Sequence, residues 1–312
     1  MSPSRPDVLR LVAGICAVMA ACETPADPAD AGRAGDASLP GDTGLDASAG
    51  DASLPPVTAP ATLFIGNSYV YTNDVAGRYR ALLEALAGAS ARVEQVAPGG
   101  YRLEQHALDA RTDGTPLARW LRTGTPEETA FDRVILQEQS QLGGIRTGPQ
   151  REASVAAATE LARLADAHGA TIVLYVTWGR EHGDPANVDF GFGTYEGMQD
   201  QLDAAYLELA ELLRAQGMTV RVAPVGAGFR NVYLDVQRSG ADPLAEGSDF
   251  DALYEADGSH PSLRGAYLAA CVLAGTATTV DARGFADEPA LGSSVSVALR
   301  DACTRALSDP RW

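Results

Sequence analysis

The stretch FIGNSYVYTND, residues 64–74, marks the point where a short apolar run ends in small and polar residues. A buried strand would normally continue with apolar residues or lead directly into an amphipathic helix. Gly66 permits a tight exit from the strand, and Ser68 follows at the start of the next element. Two interpretations follow from this pattern: a plain strand-to-helix turn that needs a glycine, or a turn that presents the serine for chemistry.

On both sides of this turn, apolar runs of strand length alternate with amphipathic segments of helix length. Because alternating units of this kind build a parallel sheet with helices on both faces, we predict an α/β three-layer sandwich with a five-stranded parallel sheet. Ligands bind beyond the carboxyl ends of the strands in such sheets, and the segments after the predicted strands are rich in small, polar and amide residues. The predicted strands span 61–66, 91–97, 133–137, 171–177 and 219–225, and the predicted helices span about 75–88, 149–168, 196–216, 262–275 and 295–307.

Composition and charge limit the partners of the chain. Its 312 residues carry a formal net charge of -17. A nucleic-acid-binding protein needs a basic stripe to neutralise phosphates, so the acidic balance argues against that class. The sequence contains neither a GxGxxG pattern after a strand nor a GxxxxGK[ST] pattern, and we predict no cofactor.

The first 22 residues have the features of a signal peptide. Two arginines precede an apolar run at 11–21, which is much shorter than the roughly 20 residues of a membrane-spanning helix. The sequence VMAAC, which ends at Cys22, resembles the lipobox of bacterial lipoproteins, in which the cysteine becomes the lipidated first residue. We therefore predict export and lipid anchoring to the bacterial cell envelope, with membrane contact only through the anchor. Met19 stands where the lipobox prefers Leu, so cleavage by an ordinary signal peptidase remains the alternative.

Residues 23–58 consist mainly of Ala, Gly, Asp, Pro and Ser and contain no aromatic residue. Such a segment cannot bury enough apolar surface to offset its ordering entropy, so we predict a flexible acidic tether. The remaining residues, 59–312, are sufficient for one large domain with a single core. Cys271 and Cys303 fall in this domain, where they could form a disulfide in an oxidising compartment; two buried free thiols are the alternative.

Four histidines are the candidates for acid-base chemistry, and three of them have a structural interpretation. His168 ends a predicted helix, where its side chain can cap the last carbonyl groups. His106 lies on a predicted helix without an acidic or cysteine neighbour at metal spacing, and His182 lacks two further convergent ligands for zinc. We therefore predict no metal site, and His260 remains as the candidate base.

His260 lies in the sequence YEADGSHPSLRG, three residues after Asp257. In a turn of this kind the carboxylate can contact the imidazole, hold one tautomer and stabilise the imidazolium once it has taken a proton. A hydroxyl nucleophile at neutral pH needs such a base. The alternative is that Asp257 only caps the turn and leaves the histidine exposed.

The blocks FIGNSYVYTND, APGGYRLEQH, VILQEQS and DGSHPS, in this order, resemble the SGNH hydrolase superfamily, also called GDSL-type esterases and lipases. Together with TWGR they look like a branch of this superfamily among bacterial lipoproteins. The resemblance covers most of residues 61–275 and implies a flavodoxin-like sheet between helices. It also implies a triad in which Ser68 is the nucleophile, His260 the base and Asp257 the group that orients the base.

The oxyanion hole implied by the resemblance combines backbone and side-chain donors. The backbone N–H groups belong to Ser68 and to Gly100, with Gly99 as the alternative. LQEQS stands where the family carries GxND, whose asparagine donates to the oxyanion. Gln137 ends the third strand and is the predicted replacement, and Gln139, which points to the same side, is the reserve candidate.

The implied activity is hydrolysis of acyl esters, either short-chain esters or acyl groups carried on a carbohydrate. Asn67, which replaces the aspartate of the family's GDS triplet, is predicted to contact the substrate together with the aromatic residues Tyr69 and Trp178. One alternative is a surface carbohydrate-binding lipoprotein that keeps the fold without efficient catalysis; the complete Ser, Asp and His set counts against it. Another is an envelope polysaccharide O-acyltransferase, which would use the same triad with a different acceptor.

Overall fold

The computed structural model describes residues 58–312. The predicted signal peptide at 1–22, the lipid anchor at Cys22 and the predicted tether up to residue 57 lie outside the described residues. These three features therefore stay predictions.

The core of the fold is one five-stranded sheet in the order β2-β1-β3-β4-β5, in which every neighbouring pair is parallel. This is the flavodoxin-like order of an open α/β sheet, so the predicted fold class is confirmed. All five predicted strands are present, and each strand is one to three residues shorter than predicted. They are β1 (Thr62–Ile65), β2 (Val93–Val96), β3 (Arg133–Leu136), β4 (Thr171–Tyr175) and β5 (Val220–Ala223).

Helices cover both faces of the sheet, and strand side chains alternate between two apolar cores. In β1, Phe64 belongs to one core, whereas Leu63 and Ile65 belong to the other. Within residues 58–312 no helix has both the length and the apolar character needed to cross a bilayer. The α-helices are α1 (Ser68–Tyr71), α2 (Val75–Ala87), α3 (Leu103–Arg111), α4 (Pro116–Ala118), α5 (Pro126–Thr129), α6 (Pro149–Asp166), α7 (Tyr195–Ala215), α8 (Val225–Arg238), α9 (Leu263–Thr278) and α10 (Ser293–Leu307).

Short helical turns join several of these elements. A π-helical turn at Arg119–Thr123 continues α4. The 3-10 turns are Thr72–Asp74, Leu142–Gly144, Pro185–Phe190, Asp251–Leu253 and Ala282–Gly284.

Helix α8 is not among the predicted helices, because two glycines in its first turn, Gly226 and Gly228, lower helix propensity and suggest a loop. Both glycines allow close packing of the helix. A Cβ atom at Gly226 would lie 2.0 Å from Nε2 of Gln199, and one at Gly228 would lie 3.4 Å from Leu268. Tertiary packing therefore outweighs the local propensity in this segment.

Candidate active site

The turn after β1 places Ser68 at the first position of α1, with the residue partly exposed at the carboxyl edge of the sheet. Gly66 is required here for close approach and not for a left-handed backbone. A Cβ atom at Gly66 would lie 2.5 Å from Oε1 of Gln137 and 2.7 Å from a methyl group of Val70. Any larger residue would push the serine turn away from β3.

Asn67 shapes this turn with three hydrogen bonds. Its side-chain oxygen accepts from the N–H of Tyr69 at 3.1 Å and caps α1, and its side-chain amide donates to the carbonyl of Tyr101 at 2.9 Å. Its backbone N–H donates to Oε1 of Gln137 at 2.9 Å. Asn67 is buried and its side-chain groups are already bonded, so it supports the turn; its contact with substrate stays a prediction.

The structure brings the three predicted triad residues into one hydrogen-bonded chain. Nε2 of His260 lies 2.8 Å from Oγ of Ser68, and Nδ1 of His260 lies 2.5 Å from Oδ2 of Asp257. The other carboxylate oxygen of Asp257 accepts the backbone N–H groups of Ser259 and His260, both at 2.9 Å. Asp257 therefore caps the turn and contacts the imidazole at the same time, so the two interpretations of this residue are compatible.

The charge state of Asp257 suits a group that orients a histidine. Partial burial acts to raise the pKa of its carboxyl, but the hydrogen bonds from the His260 ring and from the backbone N–H groups of His260 and Ser259 outweigh it and lower the pKa. The ionised carboxylate accepts the proton on Nδ1 of His260. Nε2 is then unprotonated and can accept the hydroxyl proton of Ser68.

Two buried aromatic residues, Tyr69 and Trp178, bind the loop that carries His260 from its core side. The hydroxyl of Tyr69 lies 2.7 Å from Oγ of Ser259, and the indole N–H of Trp178 donates to the Ser259 carbonyl at 2.9 Å. The two rings stack with centroids 4.7 Å apart, and the residues are 3% and 0% exposed. Both rings therefore belong to the core and support His260 through its neighbour, and the contact of either ring with substrate stays a prediction.

The predicted side-chain donor of the oxyanion hole is engaged elsewhere. Gln137 is buried, its Oε1 accepts the N–H of Asn67, and its amide nitrogen donates to the carbonyl of Glu138. In the reserve candidate Gln139, Oε1 accepts the N–H groups of Gln141 and Leu142 at 2.9 and 3.1 Å and caps a 3-10 turn. The amide nitrogen of Gln139 donates to Oε1 of Gln141 at 3.1 Å. Both glutamines therefore stabilise loops, and the role of either one at the oxyanion stays a prediction.

Two backbone N–H groups remain as candidate oxyanion donors. The N–H of Ser68, at the start of α1, has no acceptor within residues 58–312. Gly100 is exposed and left-handed, with φ +71°, in a turn closed by the Tyr101 N–H and the Pro98 carbonyl at 3.2 Å. A glycine suits this conformation. The turn lies beside the serine, since the Tyr101 carbonyl accepts from Asn67 and a Cβ atom at neighbouring Gly99 would lie 3.1 Å from the Tyr71 hydroxyl.

His106 has a role at this site that the sequence did not suggest. The residue is fully buried on α3, and its Nε2 lies 2.7 Å from the carbonyl of Gly66, two residues before Ser68. Burial lowers the pKa of His106, and the contact with the Gly66 carbonyl opposes this only in part. The neutral ring therefore anchors the serine turn from the side opposite to Gln137.

Glu138 fixes the helix that carries this histidine. Its Oε1 accepts the N–H of Leu103, at the start of α3, and the N–H of Gln139, at 3.1 and 2.7 Å, and its Oε2 accepts the hydroxyl proton of Ser154 at 2.6 Å. Burial raises the pKa of this carboxyl, while the hydrogen bonds act to lower it. The LQEQS block thus stabilises both sides of the serine turn.

The other two histidines lie outside this arrangement. Nε2 of His168 lies 3.1 Å from the carbonyl of Leu121, in the π-helical turn, and not against the last carbonyls of its own helix as predicted. The side chain of His182 is 64% exposed and lies 3.7 Å from Glu181. Within residues 58–312 no group of three or more potential metal ligands converges.

Cys271 on α9 and Cys303 on α10 are buried free thiols in this structure. Burial, together with the neighbouring Cys271 side chain, raises the pKa of the Cys303 thiol. Of the two predicted states, the structure therefore has the reduced one.

Comparison with solved structures agrees with the fold. A protein from Slackia heliotrinireducens that is assigned as an SGNH hydrolase shares 29% identity, covering 70% of this chain and 99% of its own, with a TM-score of 0.52. A DUF4886 family protein from Bacteroides uniformis ATCC 8492 shares 19% identity, covering 82% of this chain and 97% of its own, with a TM-score of 0.60; at this identity it supports the fold alone. No family model and no curated protein matches the sequence.

The sheet order, the helices on both faces and the serine after the first strand define an SGNH-type α/β protein. In fold and in sequence the chain is similar to SGNH hydrolases, and the resemblance to this superfamily noted from the sequence is confirmed. This similarity supports a hydrolase.

Proposed function

We propose that the protein is a serine esterase that hydrolyses acyl esters through Ser68, His260 and Asp257. The observation that carries the proposal is the continuous hydrogen-bonded chain from the Ser68 hydroxyl through the imidazole to the carboxylate, with distances of 2.8 and 2.5 Å. Each link has the geometry that general-base activation of a hydroxyl requires.

In the first half of the proposed reaction, Oγ of Ser68 attacks the ester carbonyl carbon while Nε2 of His260 accepts the hydroxyl proton. The carbonyl π bond opens, and its electron pair forms the oxyanion of a tetrahedral intermediate. When the intermediate collapses, the C–O bond to the alcohol breaks and Nε2 returns the proton to the departing alkoxide. The products are a free alcohol and an acyl group on Ser68.

In the second half, water replaces the alcohol. His260 takes one proton from the water as the hydroxide oxygen attacks the acyl carbon, and the tetrahedral intermediate then expels Oγ of Ser68, which regains a proton from the imidazolium. The carboxylic acid is released, and the enzyme returns to its starting protonation state. Asp257 stays ionised throughout, because its pKa is lowered by the groups that it accepts from.

The oxyanion would be bound by the backbone N–H groups of Ser68 and Gly100. A preorganised donor of this kind contributes about 2.7 to 4 kcal/mol to barrier lowering. With Gln137 and Gln139 both bonded to the protein, the proposal assigns this stabilisation to backbone donors only.

We propose short acyl groups as substrates, including acyl groups on sugars. The site is open, since the side chains of His260 and Asp257 are 33% and 50% exposed. The nearby rings of Tyr69 and Trp178 face the core and offer no apolar wall for a long acyl chain. Export and lipid anchoring at Cys22 belong to the same proposal and would place the enzyme at the cell envelope.

The first test is labelling of the full-length protein with a fluorophosphonate probe, combined with turnover of p-nitrophenyl acetate. We expect labelling and turnover in the wild type and neither in Ser68→Ala. His260→Ala should lose both to background. Ser308→Ala is the matched control, because this serine is exposed at the end of α10, and it should behave like the wild type.

Absence of labelling in a folded wild-type protein would overturn the esterase proposal and leave sugar binding as the next activity to measure. If labelling is present, adding an oligosaccharide acceptor separates the two enzymatic alternatives. Acyl transfer to the sugar at the expense of free acid would favour the acyltransferase.

A further inference from the structure

A cavity lies along the outer edge of β5, away from the triad. Its volume is about 610 Å³, within the range of small-molecule sites. It is bounded by β5, by the carboxyl ends of α7, α9 and α10, and by the turn at Ala282–Gly284, and none of the triad residues lines it. A ligand bound in this cavity would therefore not compete directly with a substrate at Ser68.

Two arginines in this cavity are held in place without an acidic partner. Nε and Nη2 of Arg214 donate to the carbonyl of Val220 at 3.2 and 3.1 Å, and Nη1 of Arg221 donates to the carbonyl of Thr276 at 2.8 Å. Within residues 58–312 neither guanidinium lies within 4.0 Å of a carboxylate. Each is anchored by some of its five N–H donors, and the remaining donors are free to bind an anion.

The electrostatic setting favours such an anion. Burial, followed by the positive charge of neighbouring Arg133, lowers the pKa of Arg221. The carboxyl end of α9, which Arg133 and Arg221 both contact through backbone carbonyls, carries only about half an elementary negative charge. The carboxyl ends of α7 and α10 add similar partial negative charges, and Asp281 lines the cavity together with a third arginine, Arg283. Three arginines against one carboxylate and three helix ends still leave a small excess of positive charge, although the chain as a whole carries -17.

Other features of the cavity also indicate a ligand site. The indole N–H of Trp312, which lines it, is buried without an acceptor in the described part of the chain. Val220 and Val222 provide apolar surface between the polar groups. Donors for an oxyanion and apolar contacts for a short chain therefore lie side by side.

We propose that this cavity binds a small oxyanion carried on a short apolar body, with the anionic group on Arg214 and Arg221 and the apolar part against β5. A carboxylate and a phosphate monoester share this chemistry, and the planar guanidinium binds both through paired hydrogen bonds. The proposal is independent of the esterase proposal, because it involves none of the triad residues.

The test is calorimetric titration of the full-length protein with hexanoate and with hexyl phosphate, with hexanol and hexylamine as controls of charge. We expect saturable binding of at least one anion, weakened by added salt, and no binding of the two controls. Preference between the two anions identifies the natural headgroup.

Arg214→Gln and Arg221→Gln should each weaken anion binding about tenfold or more, as expected for loss of a charged hydrogen bond. Arg238→Gln is the matched control, because this arginine is exposed at the end of α8 and lies outside the cavity; it should bind as the wild type does. Arg214 is exposed, so its variant should fold even if loss of the Arg221 contact to α9 destabilises the protein.

Three results would overturn the proposal. The first is the absence of binding of either anion to the wild type, and the second is equal binding of hexanol, which would mean that charge is irrelevant. The third is unchanged affinity in a folded Arg214→Gln protein, which would place the anion elsewhere.

Discussion

Replacement of His106 by leucine tests how the serine turn is held, and its expected effect depends on pH in a defined direction. The variant removes the donor to the Gly66 carbonyl, which is buried and 2.7 Å from Nε2. An unpaired buried carbonyl costs about 1 to 3 kcal/mol, so near pH 8 the variant should unfold that much more easily than the wild type.

Lowering the pH should reduce this difference in the free energy of unfolding between the variant and the wild type. Burial lowers the pKa of His106 in the folded protein below its ordinary value of 6.5, so below that pH the unfolded chain binds the proton more readily than the folded one. The wild type therefore loses stability as the pH falls, at most about 1.4 kcal/mol per pH unit, until the lowered folded-state pKa is reached. The variant has no imidazole at this position and lacks this loss. Between about pH 6.5 and pH 5 the difference should shrink by up to about 2 kcal/mol.

Urea denaturation of both proteins at about pH 8, 6.5 and 5 measures the effect, with the free energy of unfolding extrapolated to water. His182→Leu is the matched control, since that side chain is 64% exposed, and it should follow the wild type at every pH. A difference between the His106 variant and the wild type that stays constant from pH 8 to pH 5 would refute the reasoning. It would mean that the imidazole is protonated as easily in the folded protein as in the unfolded one.

Three further predictions concern the site and its support. Asp257→Asn should leave the fold intact and lower kcat for p-nitrophenyl acetate by about 10⁴-fold, because the imidazole loses its orienting carboxylate; a variant within a few-fold of the wild type would exclude a triad. Tyr69→Phe removes the hydroxyl 2.7 Å from Ser259, so it should lower the free energy of unfolding in urea by about 1 kcal/mol and moderately reduce kcat. A change in KM alone would instead indicate that this ring contacts substrate. Alkylation followed by peptide mapping, without reductant, should modify Cys271 and Cys303 only after unfolding, because both thiols are buried; failure to alkylate them in denaturant would reveal a disulfide.

The fold could be predicted because its signals are local, and the triad could be predicted because its sequence blocks resemble those of the SGNH superfamily. Strand and helix periodicity define the sheet, and Asp257 and His260 lie three residues apart in one turn that the sequence already indicates. The turn after β1 indicates that Ser68 lies at the edge where parallel sheets bind ligands, but only the resemblance identifies it as the nucleophile.

The roles of several side chains could not be predicted because they depend on distant partners. The rotamer of Gln137 is set by the N–H of Asn67, which is 70 positions away in the chain. The role of His106 depends on the Gly66 carbonyl, 40 positions away, and Trp178 is directed inward by its bond to Ser259. Residue type and spacing show that such groups are polar or aromatic, but the packed structure decides which way they face.

The serine and the histidine that contact it are separated by 192 positions, and strand β1 comes first in the chain while the histidine turn comes near its end. A ribosome releases these parts in that order. A nascent or truncated chain that ends before residue 260 would carry the serine without its base, so the proposed ester chemistry would stay off during synthesis and in prematurely terminated products. Only a chain that extends past residue 260 could therefore become active.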